Sequence, residues 1–406
     1  MNKIEKQTFI REKFAQYYAQ NSESIQPPSL MERREFAFLL FKEKTMLRHK
    51  RLTTAEGLRN ALKMIAPSDV YYSCAYYERP EENMETKGWS GADLVFDIDA
   101  DHIPTPCAKQ HDTWTCSNCG TTGHGTSPEK CSVCGGQKFK DLSWPCEICL
   151  ESAKEETLKL VDVLIKDFGL SPKDLNVAFS GHRGYHVHVE SEATRTLDQA
   201  ARKEIVDYIT GTGLEPTFHG LEKDRGPNLD DAGWGGRIAK GTYEYLLTAN
   251  SEELARIGLK KSAVSAIVKQ KEKILENWSE KGLGLMLKGI GEEGLEKIVQ
   301  HGVEKQSVKI DTVVTTDIHR LIRLANTLHG KTGLKKTNVS ITGIEQFDPL
   351  KNAIVFEKGA LTVFVFEAPQ FRLGSETYGP YKNDRVELPT AAALLLLCKD
   401  AAKMQE

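Results

Sequence analysis

The sequence predicts a mixed α and β fold that carries two additional segments, one rich in cysteine and one of charged helices. Short apolar stretches such as residues 94–99 have the length and alternation of strands, while residues 150–168 have the periodicity of a helix. Seven of the nine cysteines fall within residues 107–149. Residues 221–306 shift to a charged, helix-like composition. We therefore expect one mixed core with a cysteine-rich module and a helical insertion.

Composition sets the general class of the protein. A chain of 406 residues that is 40% hydrophobic and 27% charged can bury a large core and form more than one domain. The first residues, MNKIEKQTF, lack the apolar segment of a secretory signal, and the longest apolar run, residues 391–398, is too short to span a bilayer. These features predict a cytoplasmic protein with no membrane association.

The elements can be assigned in order along the chain. Helices are predicted at 9–19, at 54–65 with Thr53 as the N-cap, and at 150–168. Strands are predicted at 70–77, 93–100, 175–180, 185–190, 307–314 and 360–368. A closing helix is predicted to start at Thr390. The alternation of these elements is typical of an α/β core.

The charge distribution says more about partners than the net charge does. A formal charge of −3 argues against a protein that coats nucleic acid without specificity. Residues 31–60 nevertheless carry eight arginines and lysines against four glutamates, and residues 318–344 carry five without any acid. Each basic stretch has two interpretations, a phosphate-binding groove or a solvated face.

A pair of carboxylates interrupts the apolar strand VFDIDADH. Side chains of a strand alternate between its faces, so Asp97 and Asp99 project together with Val95 while the residues between them are apolar. Two carboxylates this close repel each other, and a divalent ion such as Mg²⁺ or Mn²⁺ would compensate them. The alternative is a strand end whose acids face water.

A second polar group lies in FSGHRGYHVHVE, residues 179–190. Ser180 and the neighbouring glycines offer donors and close backbone approach, Arg183 offers a guanidinium fork, and His186 and His188 share one face of the strand that follows. Together they predict a site for a polyanion such as a triphosphate. A hairpin turn with incidental polar residues is the alternative.

A third acid lies far along the chain. Asp311 falls in the strand-like segment 307–314, on the face opposite Val308 and Ile310, and precedes the basic stretch that contains Arg323 and His329. Carboxylates from separate strands assemble the two-metal sites of phosphoryl transfer.

The cysteine pattern predicts zinc. In a chain without a secretory signal, three C-x-x-C pairs indicate metal rather than disulfides. Two pairs, each followed by glycine, have the spacing of a zinc ribbon: Cys116, Cys119, Cys131 and Cys134. His124 is the competing ligand nearby, although a loop histidine is the simpler interpretation. Cys74 and Cys398 stand alone and are expected to be small core residues.

At these motifs the sequence resembles the catalytic small subunit of archaeal and eukaryotic DNA primases. The D-x-D of VFDIDADH, the S-G-x-R-G-x-H of SGHRGYHVHV and the KID, RLIRL and LHGKTGL blocks occur in that family's order. REFAF at 34–38 and the closing block at 371–397 are also similar. His188 departs from the family, which often has tryptophan there. The resemblance covers most of the chain, except part of the cysteine region and much of the helical insertion.

The resemblance implies an activity and its residues. The chain would make short primers on single-stranded DNA from nucleoside triphosphates by two-metal-ion transfer, beside a large primase subunit that carries an iron–sulfur cluster. The implied ligands of catalytic Mg²⁺ or Mn²⁺ are Asp97, Asp99 and Asp311. The implied triphosphate ligands are Ser180, Arg183 and His186, supported by Arg323 and His329.

The resemblance also implies a domain arrangement and one further zinc site. The family's zinc site corresponds here to Cys107, His111, Cys146 and Cys149, and the ribbon at 116–134 is inserted within it. Both zinc ions would be structural. The archaeo-eukaryotic primase catalytic core would comprise 1–106, 150–220 and 307–406, with a zinc module at 107–149 and the helical insertion at 221–306.

Two other functions remain as alternatives. A metal-dependent nuclease would also use three acids and a basic pocket, but it has no need of a triphosphate site. A noncatalytic zinc-ribbon adaptor that binds nucleic acid would explain the ribbon and leave Asp97 and Asp99 without a purpose.

Overall fold

The computed structural model describes residues 3–41, 45–216, 227–278 and 290–405. The chain forms two compact units: Met1–Leu158, Pro172–Arg202 and Ile310–Glu406 make the first, and Lys159–Ser171 and Lys203–Lys309 make the second. Lys42 and Lys44 of the first basic stretch, and residues 221–226 and 279–289 of the predicted insertion, lie outside the described residues. The mixed α/β class is confirmed.

Helices and strands alternate along the described residues. The helices are α1 (Lys3–Asn21), α2 (Ala55–Ile65), α3 (Ala108–His111), α4 (Glu147–Lys166), α5 (Glu192–Arg195), α6 (Gln199–Thr210), α7 (Gly233–Thr248), α8 (Ser251–Arg256), α9 (Lys261–Glu276), α10 (Glu292–Gln306), α11 (Thr312–Thr316), α12 (Pro349–Asn352) and α13 (Thr390–Cys398). The strands are β1 (Phe36–Leu39), β2 (Met46–Lys50), β3 (Asp69–Ser73), β4 (Ala75–Tyr77), β5 (Trp89–Ala92), β6 (Leu94–Asp99), β7 (Thr113–Cys116), β8 (Thr122–His124), β9 (Phe139–Leu142), β10 (Leu175–Phe179), β11 (Gly184–Val189), β12 (Leu321–Arg323), β13 (Thr337–Val339), β14 (Ala360–Ala368), β15 (Phe371–Leu373), β16 (Glu376–Tyr378), β17 (Tyr381–Pro389) and β18 (Ala402–Met404). Within the described part of the chain, no helix combines the length and apolarity that crossing a bilayer requires.

Two four-stranded antiparallel sheets form the centre of the first unit. Their strand orders are β12-β3-β1-β2 and β13-β10-β11-β6. In β6 the side chains of Leu94, Phe96 and Ile98 are buried, whereas Asp97 and Asp99 on the other face are partly exposed. The predicted alternation of β6 is therefore confirmed, and it directs both carboxylates to the same side of the second sheet.

The approach of β11 to β6 requires glycine at one position. Gly184 pairs with Asp99, and a Cβ atom on Gly184 would lie 2.0 Å from the carbonyl oxygen of Ile98. No side chain fits in that space without moving the backbone. In the same register His186 lies opposite Asp97. The glycine thus lets β11 bring His186 next to the first carboxylate.

The C-terminal part of the first unit matches the sequence prediction closely. Strand β14 covers 360–368, and α13 starts at Thr390. Helix α13 is apolar around its whole circumference, and most of its side chains are buried. It packs beside a three-stranded sheet of order β17-β14-β18.

Helices dominate the second unit. Trp234, Ile238 and Ile298 lie in its buried core, and Arg237 pairs with Asp167 through two hydrogen bonds of 2.5 and 2.9 Å. Tyr208 of α6 packs against the same core and accepts a bond from the Trp234 indole through its carbonyl. The second unit thus begins before residue 221, the predicted start of the helical insertion. The domain boundaries themselves stay a prediction.

Three local predictions differ from the structure. The N-cap of α2 is Thr54 rather than Thr53, because the Thr54 hydroxyl accepts the N–H of Gly57 at 3.0 Å. The predicted strand at 70–77 is divided into β3 and β4 at Cys74. The predicted strand at 307–314 is wrong, because Asp311 caps a short helix there instead of pairing in a sheet.

Candidate active site

The three predicted acids come together from two elements. Asp97 and Asp99 project from β6, and Asp311 precedes α11. The backbone N–H of Asp311 donates to the carbonyl of Asp97 at 2.8 Å, which attaches the start of α11 to β6. One carboxylate oxygen of Asp311 accepts the N–H of Val313, and one of Asp99 accepts the N–H of Asp101, both at 3.0 Å. These caps fix the backbone around the acids.

The electrostatics of this group favour a cation. Burial, together with the carboxylates of Asp99 and Asp311, raises the pKa of Asp97 to about 7. Burial and the carboxylate of Asp101 raise the pKa of Asp99. A divalent ion bound by these oxygens would relieve both the repulsion and the burial penalty. Hard oxygen ligands on adjacent elements fit Mg²⁺ or Mn²⁺.

The acids of the D-x-D strand lie in a cleft whose other walls combine cationic, polar, aromatic and apolar side chains, and Asp311 is not among its lining residues. Alongside Asp97, Asp99 and Asp101, the cleft is lined by Tyr71, Ser180, His182, His186, Arg320, Arg323, His329 and Lys331. Neither Arg320 nor Lys331 forms an ion pair with any residue that the structure describes. Neither residue was predicted as part of the site, although the acid-free stretch 318–344 contains both.

Two cleft histidines are held in the neutral form. Burial, reinforced by the charges of Lys336 and Arg323, lowers the pKa of His186 well below its usual value. Burial and Arg323 do the same for the pKa of His329. The Nε2 atom of His186 lies 3.5 Å from Asp97 Oδ1. Neutral imidazoles keep one N–H that can donate to a phosphate oxygen.

Arg323 is anchored in the cleft wall. Its guanidinium forms a short ion pair with Asp69, donates to the Tyr71 hydroxyl at 3.3 Å and lies over the Tyr71 ring. Burial disfavours ionisation of Asp69, but Arg323 beside it holds the pKa of that carboxyl at about 2. The arginine is thereby fixed in place as a permanent positive charge.

Arg183 is placed differently from the other predicted triphosphate ligands. Its side chain is 1% exposed and does not line the cleft. Nη1 donates to both carboxylate oxygens of Asp112, at 2.7 and 2.6 Å, and Nη2 forms a short ion pair with Asp101. Arg183 therefore connects the segment that follows the D-x-D strand with the cysteine-rich module.

The inner cluster consists of Cys107, His111, Cys146 and Cys149. Ligands placed about 2.3 Å from a zinc ion at the corners of a tetrahedron lie roughly 3.8 Å apart. The Sγ atom of Cys107 lies 3.4 Å from that of Cys149 and 3.7 Å from that of Cys146. His111 Nε2 lies 3.4 Å from Cys149 Sγ, and Nδ1 bonds Asp112 at 2.7 Å. A carboxylate behind the histidine is the usual outer support of a zinc ligand.

The outer cluster consists of Cys116, Cys119, Cys131 and Cys134. Cys116 Sγ lies 3.6 Å from Cys134 Sγ, and Cys119 Sγ lies 3.7 Å from Cys131 Sγ. Strands β8, β7 and β9 form a small sheet around it. His124 lies at the exposed end of β8 and is not part of the cluster. Both clusters therefore fit tetrahedral zinc.

The cleft combines acids with cations and neutral histidines. This arrangement is typical of enzymes that transfer phosphoryl or nucleotidyl groups with divalent metal ions. The sequence profile of the DNA primase small subunit family matches residues 141–341. Over nearly the full length of both chains, the DNA primase small subunit PriS of Methanothrix thermoacetophila is 33% identical, with 98% of each chain covered. PriS of Nitrosopumilus maritimus is 32% identical and that of Archaeoglobus fulgidus is 35% identical, with 97% of each chain covered. The chain belongs to the family of DNA primase small subunits.

The resemblance found in the sequence motifs is thereby confirmed. The matched segment includes the S-G-x-R-G-x-H motif and Asp311, and the related chains extend over the D-x-D strand as well. The nuclease and adaptor alternatives receive no support from these comparisons.

Proposed function

We propose that this chain is the catalytic subunit of a DNA primase and makes primers on single-stranded DNA from nucleoside triphosphates by two-metal-ion nucleotidyl transfer. The observation that supports the proposal is the backbone hydrogen bond from Asp311 to Asp97, together with the effect of the Asp311 carboxylate on the pKa of Asp97. Family membership supports the same reaction class.

Asp97, Asp99 and Asp311 would hold the catalytic ions, Mg²⁺ or Mn²⁺. Such ions, when bound, lower the pKa of an attacking 3′-hydroxyl and neutralise charge on the α-phosphate and the leaving pyrophosphate. The protein contributes fixed carboxylates whose backbone is capped, so that little reorganisation accompanies the reaction.

The polyphosphate would occupy the cationic side of the cleft. Ser180, His186 and His329 supply neutral donors, and Arg323 supplies a fixed charge. To this predicted set we add Arg320 and Lys331. Arg183 would contact a phosphate only if Asp101 released its guanidinium, since both Nη atoms are engaged by carboxylates.

The zinc ions would be structural at both clusters, because four protein ligands leave no position open for substrate. We further propose the large primase subunit as the working partner and single-stranded DNA as the template, as the sequence resemblance implies. The cytoplasmic location stays a prediction.

Primer synthesis is tested directly by incubating the chain, alone and with a large subunit, with single-stranded DNA, nucleoside triphosphates and Mn²⁺ or Mg²⁺. New oligonucleotides are expected, and Asp99→Ala should reduce them by at least about a thousandfold without changing the unfolding temperature much. Asp230→Ala, at an exposed carboxylate of the second unit, is the matched control. Degraded template, or no product from the wild-type complex, would overturn the proposal.

A further inference from the structure

Lys399 is a buried lysine whose amino group has no carboxylate partner among the described residues. It follows α13 and is 6% exposed. Its Nζ atom donates to the carbonyl of Ser143 at 2.5 Å and lies 2.7 Å from Nε2 of His182. It forms no ion pair with any acid in the described ranges of the chain. A buried charge left without a counter-ion is costly, so its retention calls for an explanation.

His182 connects Lys399 to the cleft. The imidazole is 5% exposed, contributes to the cleft wall and stacks on the His329 ring, with 5.1 Å between ring centroids. A protonated lysine can only donate, so His182 Nε2 must accept and the proton of the imidazole must lie on Nδ1. No described residue forms a hydrogen bond with His182 Nδ1. When Lys399 is protonated, His182 therefore keeps one N–H donor without a described partner, on an imidazole that lines the cleft.

The surroundings of Lys399 carry excess positive charge. Burial, followed by the charges of Lys331 and Arg183, lowers the pKa of Lys399 to about 7. Burial and Lys399 lower the pKa of His182 well below its usual value. Arg183 is itself neutralised by Asp112 and Asp101, whereas Lys331 and Lys399 are not. An anion bound at this end of the cleft would compensate both lysines.

We propose that Lys399 is a positioning residue for the polyphosphate of the substrate: it orients His182 so that Nδ1–H donates to a phosphate oxygen, and it adds buried positive charge behind that imidazole. The inference rests on the proposed function and extends it to a lysine outside the motifs. Lys399 bonds the cleft wall through His182, and its charge also acts on Lys331 and His329, which line the same end of the cleft. Its removal should therefore affect polyphosphate binding rather than recognition of the base.

A purely structural role is the competing explanation, since Lys399 also bonds the carbonyl of Ser143. The two roles predict different measurements. A structural lysine changes the unfolding temperature of the ligand-free protein, whereas a positioning lysine changes the affinity for phosphate groups. Lys399→Gln separates them, because glutamine keeps an N–H donor for Ser143 and removes the charge.

The experiment measures binding of inorganic tripolyphosphate to the full chain by calorimetry, in buffer without added divalent ions. Lys399→Met and Lys399→Gln should each weaken binding about tenfold, whereas Lys403→Met, at an exposed lysine of β18, should leave it unchanged. In primer synthesis the same two variants should raise KM for the nucleoside triphosphate about tenfold with kcat nearly unchanged. Inhibition by a nucleoside without phosphates should be the same in all variants.

A double-mutant cycle tests the route through His182. If Lys399 acts through the imidazole, Lys399→Met should weaken tripolyphosphate binding much less in a His182→Ala background than in the wild type. Equal losses in both backgrounds, or wild-type affinity in a folded Lys399→Gln chain, would overturn the inference and leave the proposed function intact. A wild-type chain that neither binds tripolyphosphate nor makes primers would overturn the proposed function instead.

Discussion

The inner cluster offers three cysteines and a histidine and the outer cluster four cysteines, and the two clusters also differ in what surrounds them. In the inner cluster Cys107, His111 and Cys149 are buried. In the outer cluster Cys116 and Cys131 are buried whereas Cys119 and Cys134 are exposed, and Cys119 also contacts Thr121, two residues away, at 3.2 Å. The outer cluster therefore stabilises mainly its own small sheet.

The inner cluster is connected to β6, the strand of Asp97 and Asp99, by a continuous set of contacts. His111 bonds Asp112, Asp112 bonds Arg183, and Arg183 pairs with Asp101, whose backbone N–H donates to Asp99. Asp112 also accepts the backbone N–H of Trp144 at 3.1 Å. The two clusters thus have different structural consequences, and the difference lies in the residues behind the ligands.

The largest effect is expected from removing the inner cluster. Cys146→Ser with Cys149→Ser should abolish one zinc site and primer synthesis, because binding of structural zinc contributes about 10 kcal/mol or more of apparent folding free energy. Zinc content by chelating dye and thermal unfolding by circular dichroism measure this. A double variant that unfolds like the wild type would show that the inner cluster is no more important than the outer one.

A smaller but still large effect is expected at Asp112. Asp112→Ala leaves His111 without its outer support and the buried Arg183 without one of its two counter-ions, at a cost of about 1.5–3 kcal/mol. The unfolding temperature should fall, and zinc should transfer to a chelator faster than in the wild type. Asp141→Ala, at an exposed acid of the same module, is the control and should be nearly neutral. If both variants have the same unfolding temperature and the same rate of zinc transfer, the contacts of Asp112 do not contribute to stability.

Removal of the outer cluster should have a modest effect. Cys116→Ser with Cys119→Ser should lose one zinc per chain and leave the free energy of unfolding of the core within about 1 kcal/mol of the wild type. Nucleotide addition on a simple template should continue, with weaker binding of DNA. Complete unfolding of this variant would contradict the assignment of ligands to two independent sites.

The smallest perturbation is a chelator added to the unmodified protein. The exposed thiolates of Cys119 and Cys134 give a chelator access to the outer zinc, so zinc release should occur in two phases, the outer ion first. Primer synthesis should persist through the first phase and decline in the second. If activity is lost during the first phase, primer synthesis depends on the outer zinc rather than on the inner one.

Features that depend on neighbouring residues could be predicted from the sequence. The alternation in β6, the extent of β14 and the start of α13 follow from the periodicity of the sequence. The spacing of the cysteines is sufficient to identify the four residues of the outer cluster. The D-x-D pair was placed on one face because strand geometry alone requires it.

Features that depend on distant partners could not be predicted. Asp311 was expected in a strand, but its backbone N–H bonds Asp97 and its carboxylate caps α11. The basic stretch at 31–60 suggested a groove, yet several of its arginines pair with acids elsewhere in the chain: Arg34 with Asp93, Arg51 with Glu81 and Arg59 with Glu23. The partners of Arg183 and Lys399 are likewise far away in the sequence, so no local pattern indicates them.

The hydrogen bond between Asp311 and Asp97 also has a consequence for how the protein is made. At about 5–20 residues per second, a ribosome delivers Asp311 roughly 10 to 40 s after Asp97. All four inner zinc ligands emerge well before that, and the second unit is synthesised in between. The nascent chain can therefore assemble the inner cluster while it still carries only two of the three acids proposed to hold the catalytic ions, and the proposed metal site is completed late in translation.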